Sequence, residues 1–250
     1  TRKQRELRER ELLILDVARA MLIERGYLGL TMDRIAAATE YSKGTIYQHF
    51  SCKEEVLAAL LLDSMDRRAA LFERAATFRG SSRERLTAVG FAAELLYHLY
   101  PHHVQSEQIV KAASIRAKTS DQRQQAIGNC EFRCMGVITG LVRDGLAAGD
   151  LVLPESFTPE EVCISLWSLT MGFQVLRGTD VPFGDLGVTA PEATQKKAAQ
   201  LLLDGLGWEP LSTGHDYAAT SERVGREVFA PELELLAQPG SRSSSASTKK

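Results

Sequence analysis

The sequence has no long hydrophobic run and no apolar signal segment. Its longest apolar stretch, Val56 to Leu62, is much shorter than the roughly 20 residues of a membrane-spanning helix. The basic first residues are not followed by the apolar core of a secretory signal. Nothing in the sequence therefore suggests a membrane protein or an exported one, and we expect a cytoplasmic location.

Cysteine is also scarce. The four cysteines lack paired CxxC spacing, which argues against a disulfide framework and against a zinc knuckle. A mixed metal site is conceivable because His98 and His102 are four residues apart, as are Cys130 and Cys134. Pro101 interrupts the histidine spacing, however, and the cysteines share a helical stripe with aliphatic residues. We therefore expect no metal and no cofactor.

Sequence signatures of catalysis are missing. There is no Gly-x-Ser-x-Gly elbow, no HExxH, no phosphate loop and no dinucleotide fingerprint, so we expect no enzyme activity. No segment shows sustained period-two alternation of apolar and polar residues, so we expect no sheet. The chain is predicted to be all-α.

Net charge is close to neutral, at −2 with a pI near 6.2, so any binding of phosphate has to be local. The first ten residues carry five basic and two acidic side chains, a local charge of +3. A basic arm of this kind can contact a DNA backbone or minor groove. The alternative is a solvated, frayed terminus.

The most informative stretch is Thr31 to Lys53, which contains two short helical patterns separated by a tight break. Thr31 can cap a first helix whose inward face is Ile35 and Ala38. The break falls at Glu40 and Tyr41. Ser42 can cap a second helix, 43–49, that has one apolar rail, Ile46 and Phe50, and many exposed donors. This pattern predicts a helix-turn-helix with a recognition helix that enters a DNA groove.

Between about Ile14 and Leu57 the sequence resembles the tetracycline-repressor-like (TetR) family of one-component regulators. The resemblance rests on an ordered set of matches: Ile14, Ala18, Leu22, Gly26-Tyr27, Thr31, Ile35-Ala36, Ser42, Gly44-Thr45, Tyr47, His49-Phe50 and Lys53-Glu54. One departure is Glu40, where the family usually has glycine. Since a non-glycine residue in a left-handed conformation costs on the order of 1 kcal/mol, we expect this turn to relax toward a right-handed shape.

The resemblance implies DNA-binding roles for residues of the stretch Thr31 to Lys53, which we call the reading segment. Phosphate contacts are implied for Thr31, Ser42, Tyr47 and Lys53. Base-edge contacts are hypothesised for Lys43, Thr45, Gln48 and His49, because lysine suits guanine, glutamine suits adenine, and threonine offers a methyl to thymine. Gly44 would allow close approach to the DNA backbone.

Beyond Leu57 the chain reads as successive helices. Capping boxes are predicted at Ser51 to Glu54, Ser81 to Glu84 and Thr158 to Glu161. The resulting organisation is a helix-turn-helix domain at 1–55, a helical ligand-binding and dimerisation domain at 56–210, an extra helical segment at 211–238 and a disordered tail at 239–250. A fourth helix joins the first two domains.

Segments 158–177 and 190–207 carry apolar residues on more than one face. Such helices are either deeply buried or shared with a second copy of the chain. In the family they are the dimer helices, which would form a four-helix bundle across a two-fold axis. A homodimer is therefore expected, with deep burial inside the monomer as the alternative.

The effector is the least defined part of the prediction. Large side chains that could line an apolar pocket are Tyr97, Tyr100, Met135, Trp167, Met171 and Phe173. The sequence is thus expected to encode a ligand-responsive regulator, acting as a repressor, that binds a palindromic operator in double-stranded DNA as a dimer and is released by a small lipophilic effector. The alternative is a DNA-binding regulator without an inducer, either constitutive or controlled by a protein partner.

Overall fold

The computed structural model describes residues 1–112, 115–179 and 181–238, and the predicted tail at 239–250 lies outside them. The described residues form helices and no strand, which confirms the all-α prediction. The helices are α1 (Arg2–Gly29), α2 (Met32–Thr39), α3 (Lys43–His49), α4 (Lys53–Ala75), α5 (Ser82–Leu99), α6 (Pro101–Ala112), a 3-10 turn (Ile115–Lys118), α7 (Asp121–Ala148), α8 (Pro159–Arg177), α9 (Pro191–Gly205), α10 (Tyr217–Glu227) and α11 (Ala230–Ala237). None of these helices is both long and apolar enough to cross a membrane.

The chain divides into two compact units. Of the described residues, unit 1 contains those within 1–71, 93–133 and 235–238, and unit 2 contains those within 72–92 and 134–234. The division falls within α4, α5, α7 and α11, so these helices contribute residues to both units.

Two of the three predicted capping boxes are confirmed. The Ser81 amide donates to Glu84 at 2.9 Å, and the Glu84 amide donates to the Ser81 hydroxyl at 3.2 Å. Thr158 and Glu161 form the same reciprocal pair ahead of Pro159. The box at Ser51 is wrong, because α4 begins at Lys53 and Glu54 accepts from the Tyr27 hydroxyl at 3.1 Å.

Unit 1 is built around one apolar core shared by α1 to α4, α6 and α7. Its completely buried members include Ile14 and Leu22 of α1, Ile35 of α2, Ile46 of α3 and Leu57 of α4. At about 1.5 to 3 kcal/mol for each fully buried large aliphatic side chain, this core is the main stabilising contribution to the unit.

A charged network lies beside this apolar core. Arg19 of α1 is 4% exposed, and its guanidinium donates to Asp63 of α4 at 2.6 Å and to the hydroxyl of Ser106 of α6 at 2.9 Å. His103 also contacts Asp63, with Nε2 3.1 Å from the carboxylate. One buried cation therefore connects three helices of unit 1, each through a polar side chain.

The Asp63 carboxylate is held ionised by this network. Burial would by itself raise its pKa, but the hydrogen bond from His103 and the charges of Arg67 and Arg19 outweigh burial and lower the pKa to about 2. A carboxyl with a depressed pKa in the folded state stabilises the fold above its unfolded value of 3.8. That stability is lost as the pH falls toward 2.

Unit 2 contains the C-terminal helices α8, α9 and α10 and a second buried arginine. Arg83 is fully buried and donates to Asp204 of α9 at 2.6 Å and to the carbonyl of Trp208. After α10, Phe229 is buried and stacks on Phe91 with ring centroids 5.9 Å apart. Residues 206–234, which follow α9, are therefore part of the packed structure of this unit.

We predict that Asp63→Asn destabilises the protein by about 3 kcal/mol at pH 7, because it leaves the buried Arg19 without its anionic partner. The pKa shift of Asp63 corresponds to about 2 kcal/mol, of which about 1 kcal/mol is lost by pH 3. The difference in free energy of unfolding between the wild type and Asp63→Asn should therefore be smaller at pH 3 than at pH 7. Urea unfolding at pH 7 and pH 3 measures both effects.

The matched control is Asp66→Asn, on the same helix, because the Asp66 side chain is 59% exposed and pairs with Arg133 at the surface. We expect this control to change the free energy of unfolding by less than about 1 kcal/mol. If both variants lowered the free energy of unfolding by the same amount, the proposed importance of the Arg19 network for stability would be contradicted.

Candidate DNA-binding site

The two helices of the reading segment are joined by a turn at Glu40 and Tyr41, as predicted. Glu40 has φ 58° and ψ 20°, which is the left-handed conformation. The expectation that this turn relaxes toward a right-handed shape is therefore wrong. The amides of Glu40 and Tyr41 both donate to the carbonyl of Ala36, and these bonds hold the turn in a conformation that costs about 1 to 2 kcal/mol for a residue with a side chain.

The inward face of α2 differs from the prediction at one position. Ile35 is buried as expected, but Ala38 is exposed and its place is taken by Ala36. The buried set Met32, Ile35, Ala36 and Thr39 follows the i, i+3, i+4, i+7 spacing of one helical face, and Ala38 is off that face.

Helix α3 is anchored by one apolar rail and exposes most of its polar residues. Ile46 and Phe50 are buried in the core of unit 1, as the predicted apolar rail requires. On the rest of the segment, Lys43, Gly44, Tyr47 and Gln48 are exposed, and Thr45 and His49 are half-buried.

Two hydroxyls in the predicted phosphate-contact set act as helix caps. The Thr31 hydroxyl accepts from the amide of Arg34 at 3.3 Å, and the Ser42 hydroxyl accepts from the amide of Thr45 at 3.1 Å. Each hydroxyl proton remains a possible donor, although the Ser42 and Thr45 oxygens are also within 2.9 Å of each other. The caps therefore fix the two hydroxyls at the N-terminal ends of α2 and α3.

The two lysines of the predicted site each have a partner in the protein. The Lys43 ammonium is 2.8 Å from the Asp33 carboxylate of α2, and both side chains are about two-thirds exposed. The hydrogen bond to Asp33 raises the pKa of Lys43. The Lys53 ammonium lies 3.9 Å from the centre of the Tyr27 ring and 3.4 Å from the Tyr27 carbonyl.

Tyr27 is presented by the bend at the end of α1. Gly26 has φ 66° and ψ −177°, a backbone conformation that only glycine adopts readily. The Tyr27 hydroxyl donates to Glu54, and its ring supports Lys53, so this tyrosine orders the first residues of α4.

The basic N-terminal segment is helical. α1 begins at Arg2, and Thr1 and Gln4 form a capping box ahead of it. Arg2 pairs with Glu6 at 2.8 Å on an exposed face. The segment is thus an exposed helical extension and not a frayed terminus, and its contact with DNA stays a prediction.

The predicted pocket residues belong to two units. Tyr97 and Tyr100 are in unit 1, where the guanidinium of Arg67 lies 4.9 Å from the Tyr100 ring. Unit 2 contains Met135, Trp167, Met171 and Phe173, of which Trp167 is 38% exposed and the other three are half-buried. Their role in ligand binding stays a prediction.

Unit 1 also contains a cleft of about 360 Å³ between α1, α4 and α7. It has several charged side chains along its walls, including Arg8, Asp66 and Arg133, and none of the residues predicted for the effector pocket. Asp66 is paired there with Arg133 at 2.8 Å.

The histidines and cysteines do not assemble a metal site in the part of the chain that the structure describes. Cys130 is buried, with its sulfur 3.3 Å from Asp66. Burial, together with the nearby Glu160 and Cys134, raises the pKa of the Cys163 thiol to about 11, so this thiol is protonated and unreactive at neutral pH.

Comparison with known proteins agrees with this geometry. Residues 14–60 match the family profile described as bacterial regulatory proteins, tetR family. The HTH-type transcriptional activator FasR of Mycolicibacterium smegmatis is 32% identical over 109 residues, which are 44% of this chain and 48% of that protein. The match thus spans about half the length of the curated relative.

Solved structures share the fold. A tetR-family regulatory protein from Rhodococcus RHA1 superposes with a TM-score of 0.62 at 21% identity, covering 79% of this chain and 97% of that one. A gamma-butyrolactone receptor described as ArpA-like gives a TM-score of 0.60 at 18% identity, covering 89% of this chain and 99% of the receptor.

The fold and the capped, donor-rich α3 define an all-α helix-turn-helix protein. The segment that contains this motif, residues 14–60, is similar to the tetR family of bacterial regulatory proteins. That family consists of transcriptional regulators and not of enzymes.

The Asp33–Lys43 pair generates a prediction about affinity. Asp33→Asn releases the Lys43 ammonium and removes a negative charge near α3, so we expect binding to a DNA duplex to tighten several-fold at low salt. Fluorescence anisotropy with a labelled duplex measures the change.

A double-mutant cycle separates the two causes. If Asp33 acts by restraining Lys43, Asp33→Asn should have a smaller effect when Lys43 is already replaced by glutamine. The same gain in both backgrounds would show that only the overall charge matters and that the pair has no specific role.

Proposed function

We propose that this protein is a ligand-responsive transcriptional regulator that binds a palindromic operator as a two-fold dimer. The observation that carries the proposal is helix α3, whose apolar rail is buried while Lys43, Tyr47 and Gln48 are exposed. An exposed row of donors on a rigidly held helix suits the major groove. The similarity to an HTH-type transcriptional activator supports it.

Within this proposal the residues divide into two roles. Thr31, Ser42, Tyr47 and Lys53 contact phosphates and fix the position of the protein on the duplex. Lys43, Thr45, Gln48 and His49 face base edges, with Gly44 allowing close approach. The side chains of Lys43 and Gln48 are exposed and long, which suits contact with base edges. Thr45 and His49 are half-buried and therefore offer fewer exposed atoms for such contacts.

The dimer is proposed to form through α8 and α9. These helices expose apolar side chains that a lone chain leaves in water: Ile164 at 42%, Trp167 at 38%, Val175 at 54%, Leu176 at 47% and Leu201 at 71%. Because two neighbouring helices with this many exposed large apolar side chains suit a protein interface, we propose that a second copy of the chain covers them. Of the three consecutive leucines on α9, Leu201 is the exposed one, since Leu203 is buried and Leu202 half-buried.

Release from DNA is proposed to depend on spacing. The α3 helices of the two copies must enter successive major grooves roughly 34 to 36 Å apart. An effector that favours another separation of the two helices weakens binding to DNA, and α4 transmits this change to α3. The coupling is reciprocal, and a preference of about 3 kcal/mol changes affinity by roughly a hundredfold.

The effector is proposed to be small and lipophilic, bound among the predicted pocket residues. The fold is shared with a gamma-butyrolactone receptor, and a molecule of this chemical class is a reasonable first compound to assay. The second candidate function, regulation without an inducer, predicts that no small apolar compound changes the affinity for the operator. We retain repression as the expected direction, although the similar FasR is an activator.

The proposal predicts steep salt dependence of operator binding, because phosphate contacts from two copies release many counterions. Operators can be selected from random duplexes with the purified protein, and affinities compared between selected and scrambled duplexes from low to moderate salt. Thr45→Ala should relax the preference at one base position of each half-site. Equal affinity for selected and scrambled duplexes would refute sequence-specific recognition by α3.

Leu201→Glu tests the dimer. A carboxylate placed beside its symmetry mate on an apolar seam should cost several kcal/mol of association. Because Leu201 is 71% exposed in the single chain, the variant should still fold and sediment as a monomer with greatly weakened operator binding. Leu28→Glu, at an 86% exposed position outside α8 and α9, is the control that should remain dimeric. A dimeric Leu201→Glu protein would contradict this interface.

A further inference from the structure

The segment between α6 and α7 is fixed against the first residues of α4. Lys118 closes the 3-10 turn Ile115–Lys118, and its backbone carbonyl is 3.9 Å from the Cys52 sulfur. Two residues later, the Ser120 amide donates to the Glu55 carboxylate at 2.6 Å. These contacts place Lys118 beside the start of α4, although it is distant in sequence.

Charge around this point is unevenly distributed. Glu54 and Glu55 are both largely buried, with side chains 12% exposed. Glu54 accepts from the Tyr27 hydroxyl at 3.1 Å, and Glu55 accepts from Ser120 and from Arg123 at 3.3 Å. The carboxylates therefore bind groups of the protein, whereas the Lys118 side chain is 69% exposed.

The Lys118 ammonium is only weakly held. Within the described part of the chain it pairs with the Glu54 carboxylate at 4.0 Å, which is the outer limit of an ion pair and contributes little at an exposed site. Lys53, by comparison, lies against the Tyr27 ring. Of these two cations, Lys118 has the greater freedom to reach toward an anion in solvent.

From this arrangement we propose that Lys118 binds a DNA phosphate adjacent to the one contacted at the start of α4, so that a chain segment outside the helix-turn-helix anchors the protein on its operator. The inference rests on the proposed function, because it requires α4 to begin at the DNA backbone. Two copies in a dimer would add two phosphate contacts. Such contacts set affinity and salt dependence but do not read sequence.

The side chain can be tested without disturbing the turn. The contact to Cys52 uses the Lys118 carbonyl, so Lys118→Gln leaves it in place. Lys118→Arg keeps the charge. Arg226→Gln, at an exposed position on α10, removes one positive charge from another part of the chain and is the matched control.

We expect Lys118→Gln to flatten the slope of log K against log salt concentration by about 2 for a dimer, and to weaken binding at low salt roughly tenfold or more on cognate and scrambled duplexes alike. Lys118→Arg and Arg226→Gln should retain the wild-type slope. In phosphate ethylation interference, one phosphate in each half-site that matters for wild type should cease to matter for Lys118→Gln.

A wild-type slope and an unchanged ethylation pattern for Lys118→Gln would overturn this inference while leaving the regulator proposal intact. Failure of the wild-type protein to prefer any duplex would instead refute the proposed function. Equal flattening by Arg226→Gln would show that net charge, and not a contact by Lys118, is responsible.

Discussion

The ion pair between Arg19 and Asp63 is the constraint on which the reading domain depends. A guanidinium that is 4% exposed has to keep its anion, since an uncompensated buried charge costs several kcal/mol. Ser106 accepts from the same guanidinium, so α1, α4 and α6 share one cation. The apolar core then holds α3 through Ile46 and Phe50. The orientation of α3 therefore depends on side chains buried in the core of unit 1.

Local charge arrangement matters more here than net charge. The chain as a whole carries −2, yet the carboxylates nearest to the start of α4 are bound by Tyr27, Ser120 and Arg123. Their negative charge is thereby compensated within the protein. Lys43 is held differently, through an exposed pair with Asp33. Since water and salt screen an exposed pair, an anionic group in solvent can compete with Asp33 for this lysine.

Local signals in the sequence predicted the helices well, because caps and spacing act over a few residues. The Thr158 box and the buried rail of α3 were readable for that reason. The left-handed Glu40 was not, since the hydrogen bonds to Ala36 and the packing of α2 and α3 outweigh its intrinsic preference. Contacts between distant segments were also beyond the sequence. Nothing in the pattern around Asp33, Asp63 or Lys118 indicates its partner, because helical periodicity defines faces but not which faces meet. The effector pocket stays undefined for the same reason.

The central claim is that two copies of α3 read neighbouring major grooves on one face of the operator. Dimethyl sulfate protection tests it directly, because this reagent methylates guanine N7 in the major groove, where the reading side chains would lie. The account predicts two protected clusters related by two-fold symmetry, with centres about 10 base pairs apart. A single protected cluster, or protection confined to the minor-groove positions of adenine, would contradict it.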